Sequence, residues 1–262
     1  MILSSPNINI MYKACTKASK ILVRDFGEIE KLQVSLKGPG NFVTASDKKV
    51  EKIIIEELQK ARPDYSILSE EIGEVKNKNQ EYRWIIDPID GTLNFLHGLP
   101  HFGISIGLEK NNEIICGIIF DPIKDEIFYA EKGNGSYLNN QRMRVSSRSK
   151  LKDSLIITGG PNFASKEKET SFKEYLKISK ATLSPIRKLG SAALDLAYVA
   201  AGRCEAFWQR NLNYWDIAAG IILVKEAGGF ITDLQGGNNY LNNKAILATN
   251  AGINKEMIEI LK

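Results

Sequence analysis

Two aspartates lie on a turn directly after one strongly apolar stretch of the chain. Trp84–Ile86 are β-branched or aromatic and predict the buried end of a strand, which Pro88 should stop because proline lacks the N–H that a strand ladder needs. Asp87 then lies at the strand end, and the turn pair that begins with Asp90 lets both carboxylates face one point. Thr92 follows where a short helix is predicted, and the free N–H groups of a helix start suit an oxyanion such as phosphate.

This turn carries the ligands of a hard divalent cation. Asp87, Asp90 and the carbonyl of Ile89 are oxygen donors of the kind that Mg²⁺ binds while it keeps several waters. A turn of this sequence also forms without any ion, so the segment alone leaves a plain turn as an equal alternative. Because the set contains no histidine or cysteine, Mg²⁺ fits it better than zinc.

Three more acidic residues lie where a predicted element meets a loop: Asp47 in the first turn of a helix, Glu70 after a short strand, and Asp216 in the first turn of a later helix. For Asp47 and Glu70 the alternative role is a helix cap. If four of the carboxylates met within about 5 Å, each pair would cost on the order of 3 kcal/mol at an effective dielectric near 20. Several such pairs would rival the roughly 5–15 kcal/mol that stabilise a domain, so either the residues do not converge or cations neutralise them.

The composition predicts a globular protein kept in a reducing cytoplasm. With 262 residues, 43% hydrophobic and 25% charged, the chain is long enough for one large layered domain or two small ones. Its three cysteines are far apart and form no Cys-x-x-Cys pair, which argues against a disulfide framework or a zinc site. The N-terminal segment lacks the basic start and apolar run of a signal peptide, and no apolar run reaches membrane-spanning length, so we expect no membrane contact.

The charge pattern narrows the classes of partner. The net charge of +4, from 35 basic and 31 acidic residues, is mild, and the lysines are scattered along the chain. Such a pattern predicts solvated faces; it permits nucleic-acid binding without indicating it.

The two histidines, His97 and His101, have the spacing of metal ligands on a helix, but Gly98 and Pro100 lie between them, so no helix is expected to hold them together.

The order of apolar patterns predicts a layered α+β or α/β fold. Helical spacing favours helices at residues 11–26, 46–61, 172–178, 190–201, 215–228 and 253–261. Alternation and turn residues favour strands at 66–68, in an antiparallel meander over 102–145, and at 154–158, 204–208, 230–232 and 245–248. Two segments, 37–41 and 74–80, are expected to be irregular loops, of which the first could move.

Four segments together resemble the inositol monophosphatase family of Mg²⁺-dependent, lithium-sensitive sugar phosphatases. They are Thr44–Asp47, Ser69–Glu71, Trp84–Phe95 and Trp215–Gly220, which occur in the family's order and spacing over nearly the whole chain. Asp-Pro-Ile-Asp-Gly-Thr joined with a distant Trp-Asp-x-Ala-Ala-Gly is a specific combination. The resemblance implies an α/β/α/β/α sandwich with a large antiparallel sheet and a smaller mixed sheet. It also implies a single unit, 1–262, in which the subregions 1–150 and 151–262 complete one site.

The resemblance further implies where ions bind. Glu70, Asp87 and the Ile89 carbonyl resemble the ligands of a first Mg²⁺, whereas Asp87, Asp90 and Asp216 resemble those of a second. A third, weaker ion would use Glu70 through water, under the loop around Lys37. Two to three Mg²⁺ ions are therefore expected, with Asp87 shared between the first two.

Catalytic and substrate-binding residues are implied in the same way. The expected catalytic residues are Asp47, Thr92 and Glu70, of which Thr92 and Asp47 resemble the pair that orients and deprotonates the attacking water. The expected substrate contacts are the N–H groups of Gly91 and Thr92 for phosphate, and Gly190, Ser191, Ala192, Gln209 and Asp216 toward the sugar. Gln209 stands where inositol phosphatases usually have glutamate, so an acceptor remains but its charge is lost. Asn211 stands where glycine is common, and asparagine tolerates positive φ.

The resemblance makes inositol 1-phosphate, or a related sugar or polyol phosphate, the leading substrate and a homodimer the expected assembly. Two alternatives stay open. One is another phosphatase of the superfamily, acting on histidinol phosphate, fructose 1,6-bisphosphate or a phosphoadenosine. The other is a regulatory role with RNA-polymerase or ribosome-assembly factors. Met1 and Met11 are both candidate starts.

Overall fold

The computed structural model describes residues 5–28, 34–38, 41–161 and 167–262. Its helices are α1 (Pro6–Phe26), α2 (Ala45–Ala61), α3 (Thr92–Leu96), α4 (Lys168–Ala181), α5 (Ala192–Ala200), α6 (Tyr214–Glu226), α7 (Tyr240–Asn243) and α8 (Asn254–Leu261). Its strands are β1 (Val34–Gly38), β2 (Asn41–Thr44), β3 (Tyr65–Ser69), β4 (Gly73–Val75), β5 (Asn79–Asp90), β6 (Gly103–Lys110), β7 (Glu113–Asp121), β8 (Glu126–Glu131), β9 (Gly135–Leu138), β10 (Gln141–Met143), β11 (Ile156–Thr158), β12 (Ala206–Arg210), β13 (Phe230–Thr232) and β14 (Ala245–Thr249).

The strands from β3 to β10 form one eight-stranded sheet in the order β10-β9-β8-β7-β6-β5-β3-β4. From β5 to β10 each strand pairs antiparallel with the next one in sequence, which confirms the predicted meander. β3 and β5 run parallel, so the sheet is mixed, with one parallel pair in an otherwise antiparallel arrangement. The parallel pair arises because β4 turns back along the outer edge of β3, and the chain then crosses to the other side of β3 to begin β5.

A second, smaller sheet has the order β11-β12-β14-β13 and is mixed, as expected: β11 runs parallel to β12, and the other two pairs are antiparallel. Sheets and helices stack in five layers. α1 and α2 cover one face of the large sheet, α5 and α6 lie between the sheets, and α4 and α8 cover the outer face of the small sheet. This arrangement confirms the α/β/α/β/α sandwich.

Strand alternation in β5 assigns its side chains to two separate cores. Trp84 and Ile86 pack in the cluster that contains α1 and α2, whereas Ile85 packs in the cluster that contains α5 and α6. All three are fully buried. The near-continuous apolar run of this strand therefore follows from its position at the centre of the molecule, covered on both faces.

Close packing of α6 on the large sheet depends on glycine. A Cβ at Gly117 of β7 would lie 2.9 Å from the Cα of Ala219, and one at Gly107 of β6 would lie 3.0 Å from the Cβ of Ala218. Side chains at these positions would push α6 away from the sheet. The position of α6 matters because Asp216 lies in its first turn.

Three local expectations are wrong. β5 does not stop at Pro88 but continues to Asp90, with an irregular register between Asp87 and Asp90 that accommodates a residue without an N–H. The segment 74–80 is not a loop throughout, because β4 ends and β5 begins within it. The segment 37–41 is not irregular at its ends, since β1 and β2 pair as an antiparallel hairpin. Residues 39 and 40 lie outside the described residues, so movement of this hairpin tip stays a prediction.

The first helix also begins earlier than its apolar spacing predicts. Pro6 occupies its first turn, where a missing N–H is tolerated, and the Ser5 hydroxyl accepts a hydrogen bond from the Ile8 N–H at 3.4 Å. Within the four described ranges, no helix combines the length and apolar character needed to span a membrane.

Candidate active site

One pocket of about 240 Å³ lies where the end of β5 meets α3, α5, α6 and the end of β12. Most of the expected site residues line it: Glu70, Asp87, Ile89, Asp90, Gly91, Thr92, Gly190, Ala192, Gln209 and Asp216. The two others, Asp47 and Ser191, do not line the pocket but contact residues that do. The structure therefore brings together residues that are up to 169 positions apart along the sequence, Asp47 and Asp216 being the extremes.

Asp87 and Asp90 are held by local and distant donors, respectively. The Ile89 N–H donates to Asp87 Oδ1 at 3.0 Å within the same turn. Asp90 Oδ2 accepts hydrogen bonds from the Ser191 hydroxyl and, at 2.7 Å, from the Ala193 N–H, both at the start of α5. The first turn of α5 thus fixes Asp90, and Asp90 in turn satisfies N–H groups that a helix start leaves free.

The turn after Asp90 matches its predicted form. Gly91 has φ +96°, and α3 begins at Thr92, as expected. A Cβ at Gly91 would lie 3.1 Å from the His101 carbonyl oxygen, so both backbone strain and crowding require glycine there. The Thr92 hydroxyl lies 3.0 Å from the Ile89 carbonyl oxygen and 3.5 Å from Asp47 Oδ1. Asp47 is completely buried, so Thr92 stands between this carboxyl and the pocket.

Glu70 and Asp216 complete the acidic wall from two further elements. Glu70 directly follows β3, and its N–H donates to the Ile86 carbonyl at 3.2 Å, which places it beside the end of β5. Asp216 lies in the first turn of α6, where its Oδ2 accepts from the Asn213 N–H at 2.7 Å. A helix cap was the alternative role for Asp47 and Glu70 and was not expected at Asp216, yet the Asp216 carboxylate both caps α6 and lines the pocket.

Burial raises the pKa of three carboxylates of the pocket, and neighbouring carboxylates add to the rise at two of them. Burial is the main cause for Asp87, followed by the charges of Glu70, Asp90 and Asp216, and together they hold its pKa well above the usual range. Burial and the charge of Asp90 do the same to the pKa of Asp216. Burial also raises the pKa of Asp90, against the hydrogen bonds from Ser191 and Ala193. No lysine or arginine is among the described residues that line the pocket, so a neutralising charge must come from elsewhere.

The donor set suits a hard cation. Carboxylates and one backbone carbonyl, that of Ile89, face the same space, and these are the ligands that Mg²⁺ binds. Among the residues that the structure describes, no three acidic, histidine or cysteine side chains are already gathered closely enough to hold an ion.

Gln209 and Asn211, at and just after the end of β12, also line the pocket. The Gln209 amide lies directly over Gly159, where a Cβ would overlap it, and Asn211 has φ +61°, in line with the tolerance expected of asparagine. Gly159 and Leu212 also line the pocket and were missed by the sequence reasoning. A glycine pair directly after a predicted strand could have indicated Gly159, whereas no feature of the sequence indicated Leu212.

The two histidines differ in their surroundings. α3 ends at Leu96, so no helix joins His97 to His101, as expected. His97 is exposed, whereas His101 is half-buried, and its Nε2 lies 3.7 Å from Oδ1 of Asp195. Neither Asp195 nor this pairing was expected from the sequence.

The comparisons with known proteins agree with this geometry. A model of the inositol monophosphatase family matches residues 4–261. The chain belongs to this family. It is 48% identical to the inositol-1-monophosphatase of Mesorhizobium japonicum over 255 residues, which cover 97% of this chain and 96% of that protein. It is 38% identical to the Nus factor SuhB of Escherichia coli over 253 residues, covering 97% of this chain and 94% of that protein. A crystal structure of the extragenic suppressor protein suhB from Bartonella henselae matches with a TM-score of 0.95 and 48% identity, covering 98% and 99% of the two chains.

Membership of the inositol monophosphatase family confirms the resemblance drawn from the four sequence segments, and with it the class of enzyme, a phosphomonoester hydrolase. The family is generally metal-dependent, which agrees with the acidic pocket. The roles of individual residues stay predictions at this point.

Proposed function

We propose that this chain is a Mg²⁺-dependent phosphomonoesterase that hydrolyses inositol 1-phosphate, or a closely related sugar or polyol phosphate, to the free polyol and phosphate. The observation that carries the proposal is the pocket itself. Four carboxylates, Glu70, Asp87, Asp90 and Asp216, line it beside the start of α3, and no described lysine or arginine lines it with them. A phosphate could not approach this wall unless cations first neutralised it.

Five oxygen donors would hold the ions. Glu70, Asp87 and the Ile89 carbonyl would hold one Mg²⁺, Asp87, Asp90 and Asp216 a second, and Glu70 would reach a third through water. When bound, the ions would acidify a water molecule and neutralise the charge that develops on the phosphate and on the leaving oxygen. The raised pKa values of Asp87, Asp90 and Asp216 support this assignment, because a nearby cation favours the charged form of each carboxylate.

Thr92 and Asp47 would handle the proton of the attacking water. The Thr92 hydroxyl lies between the pocket and Asp47 Oδ1, 3.5 Å away, so it can accept a proton from water while passing its own to the carboxylate. Asp47 is fully buried and has no direct path to solvent water, which makes Thr92 its link to the substrate. Gly91 and Thr92 would receive phosphate oxygens at the start of α3, where backbone N–H groups lack helical partners.

The polyol would lie against the start of α5 and the end of β12. Gly190 and Ala192 offer a wall without long side chains, and Gln209 offers an amide acceptor for a ring hydroxyl. The hydroxyl of Ser191 donates to Asp90, so its share in substrate binding would be to fix that carboxylate. Asp216, at the start of α6, would face both the second ion and the sugar.

The test is Asp90→Asn, measured with Mg²⁺ on a panel of phosphomonoesters. A neutral amide cannot balance a cation, so kcat/KM should fall more than about 100-fold, beyond the loss typical of changes outside the first ligand shell of a metal site. Asp233→Asn is the matched control, because Asp233 is equally buried and also accepts backbone hydrogen bonds, but in a turn remote from the pocket. Turnover at the wild-type rate in Asp90→Asn would refute the proposal.

The same panel ranks the other phosphatase activities. Inositol 1-phosphate, histidinol phosphate, fructose 1,6-bisphosphate and a phosphoadenosine differ in the group that would face Gln209 and Gly190, while all present a phosphate to Gly91 and Thr92. A preference for one of the last three by more than about tenfold in kcat/KM, or about 1.4 kcal/mol, would reassign the substrate but leave the hydrolytic site in place.

A second candidate function is a regulatory role in transcription, favoured by one observation: the 38% identical relative from Escherichia coli is named a Nus factor. The mild charge of +4 would allow contact with RNA. A salt-dependent shift of a structured RNA that persists in Asp90→Asn would support this role, because RNA binding would then be independent of the hydrolytic pocket.

A further inference from the structure

A buried carboxyl without a hydrogen bond lies behind the pocket. Asp195 in α5 is 1% exposed, and neither of its carboxyl oxygens has a hydrogen-bond partner in the described parts of the chain. His101 Nε2 is also buried without a hydrogen-bond partner among the described residues, and it lies 3.7 Å from Asp195 Oδ1. Two facing, buried and unsatisfied polar atoms need an explanation, since a buried polar atom left unpaired destabilises the fold.

The two groups fit each other. A movement of about 0.8 Å would bring Oδ1 and Nε2 to hydrogen-bond distance. Burial raises the pKa of the Asp195 carboxyl and lowers the pKa of the His101 imidazole, so the pair is best satisfied by one shared proton. Tyr198 closes the outer side of the pair, with its ring edge-to-face against His101 at 5.6 Å, and Arg203 lies 4.8 Å from the Tyr198 ring.

Each partner of the pair is connected to the phosphate-receiving turn by a different route. On the helix side, the Asp195 N–H donates to the Ser191 carbonyl at 2.9 Å, and the Ser191 hydroxyl donates to Asp90. On the strand side, the His101 carbonyl accepts from the Asn94 amide at 2.7 Å and lies directly against Gly91. The Asn94 amide also donates to the Leu189 carbonyl at 2.8 Å and so already joins the two segments that flank Asp90 and Gly91. A contact between Asp195 and His101 adds a second link between them.

We propose that Asp195 and His101 are positioning residues: a proton shared between Oδ1 and Nε2 holds the start of α5 against the segment before β6 and so fixes Asp90 and the Gly91 turn. Neither side chain lines the pocket, so both act through other residues. The consequences for Mg²⁺ affinity and for catalysis rest on the proposed function, whereas the existence of the pair does not.

Asp195→Leu separates positioning from mere core packing. Leucine removes the buried carboxyl without leaving a cavity, but it leaves the buried His101 Nε2 without its partner, so the Tm should fall. Mg²⁺ affinity measured by calorimetry, and turnover, should also fall about 10- to 100-fold, as for outer-shell partners of other metal sites. Val199→Ala, one turn further along α5, is the control: it should lower the Tm by opening a small cavity, with Mg²⁺ affinity and turnover unchanged below the Tm.

The pair itself can be observed by NMR of the histidine ring nitrogens. The chain has two histidines, and the exposed His97 serves as an internal reference. Asp195→Asn keeps the size of the side chain and provides the same comparison if the leucine variant does not fold. In both variants the ring-nitrogen signals of His101 should shift while those of His97 do not.

Two results would overturn the inference. One is an unchanged His101 signal in Asp195→Asn, because then no proton is shared. The other is wild-type Mg²⁺ affinity in Asp195→Leu, or losses that merely follow the Tm as in Val199→Ala. If the wild-type protein neither bound Mg²⁺ nor hydrolysed a phosphomonoester, the proposed function would fail, but the NMR measurement would still decide whether Asp195 and His101 share a proton.

Discussion

At the scale of single residues, Gln209 is the side chain on which substrate preference should depend. Gln209→Glu would provide a charged acceptor for a ring hydroxyl, and a hydrogen bond to a charged group is worth about 1 kcal/mol more than a neutral one. The ratio of kcat/KM for inositol 1-phosphate to that for an aryl phosphate should therefore rise about fivefold. Gln209→Met, which keeps the length but offers no strong acceptor, should lower the same ratio. An identical ratio in all three proteins would mean that position 209 does not touch the ring.

Residues close together in the sequence were the easiest part of the pocket to predict. Asp87, Asp90 and Thr92 lie within one turn, so their convergence could be predicted from a strand end, a proline and an Asp-Gly pair. A glycine pair after a strand could have indicated Gly159, but its contact with Gln209 exists only once β11 has paired with β12. Contacts set by strand pairing far along the chain have no local signal.

At the scale of elements, the apolar patterns predicted most helices and strands, and the failures have a common cause. Pro88 was expected to end β5, yet the strand continues to Asp90 because pairing with β6 resumes beyond an irregular step. The adjoining ends of β1 and β2 and the last two residues of the short edge strand β4 fell within the predicted loops 37–41 and 74–80, because the residues of these two segments show no apolar alternation. Strands that are defined mainly by their partners are poorly visible in a sequence.

The start of α6 depends on a polar network that supports Asp216. The Tyr214 hydroxyl donates to Glu109 Oε2 at 2.7 Å, and Arg83 donates to both oxygens of the same carboxylate at 3.1 Å. Glu109 is 5% exposed, so Tyr214→Phe would leave it with one partner fewer in a buried setting. We expect the free energy of unfolding to fall by about 1.5–3 kcal/mol. Because the Asn213 N–H still holds Asp216, kcat/KM should fall less than about tenfold, or 1.4 kcal/mol.

Denaturant unfolding of Tyr214→Phe beside Tyr137→Phe tests this expectation. The Tyr137 hydroxyl also makes one hydrogen bond, to the Asn134 carbonyl at 3.1 Å, but in an exposed setting. Its loss should cost less than about 0.5 kcal/mol. Equal stability of the two variants would contradict a supporting role for the Glu109 network.

At the scale of the whole molecule, the layered architecture was predictable, whereas its single functional unit stays a prediction. One apolar cluster contains residues of both subregions, for example Ile85 and Phe128 together with Phe207 and Ile246, which supports the expectation that 1–262 folds as one unit. The acidic pocket lies across the same division, since Glu70, Asp87 and Asp90 come from the first part and Asp216 from the second. Folding must therefore gather these carboxylates against their repulsion.

Burial and repulsion of these carboxylates make the stability of the ion-free protein depend on pH. Asp87, Asp90 and Asp216 have raised pKa values in the folded state, so the folded protein binds more protons than the unfolded chain at pH values above the ordinary 3.8. The free energy of unfolding must then decrease as the pH rises through the raised pKa values. Glu57 has the opposite shift, to a pKa of about 2, caused by hydrogen bonds from Lys17 and Lys60, and its stabilising effect is lost only as the pH falls below its ordinary 4.5. The two effects thus occupy different pH ranges.

Mg²⁺ should restore the stability that the ion-free protein loses as the pH rises. The effect should be larger at higher pH, because Mg²⁺ competes with protons for the same carboxylate oxygens. At about 100 times its dissociation constant a bound ion adds about 2.7 kcal/mol, which corresponds to a rise in Tm of about 5 °C or more for a chain of this size. Thermal unfolding with and without Mg²⁺ from about pH 5 to about pH 8 should show a Tm difference that grows with pH. An equal ionic strength of NaCl controls for screening, and Asp90→Asn should show a smaller difference. A Tm difference that is independent of pH would mean that Mg²⁺ binds elsewhere than at these carboxylates.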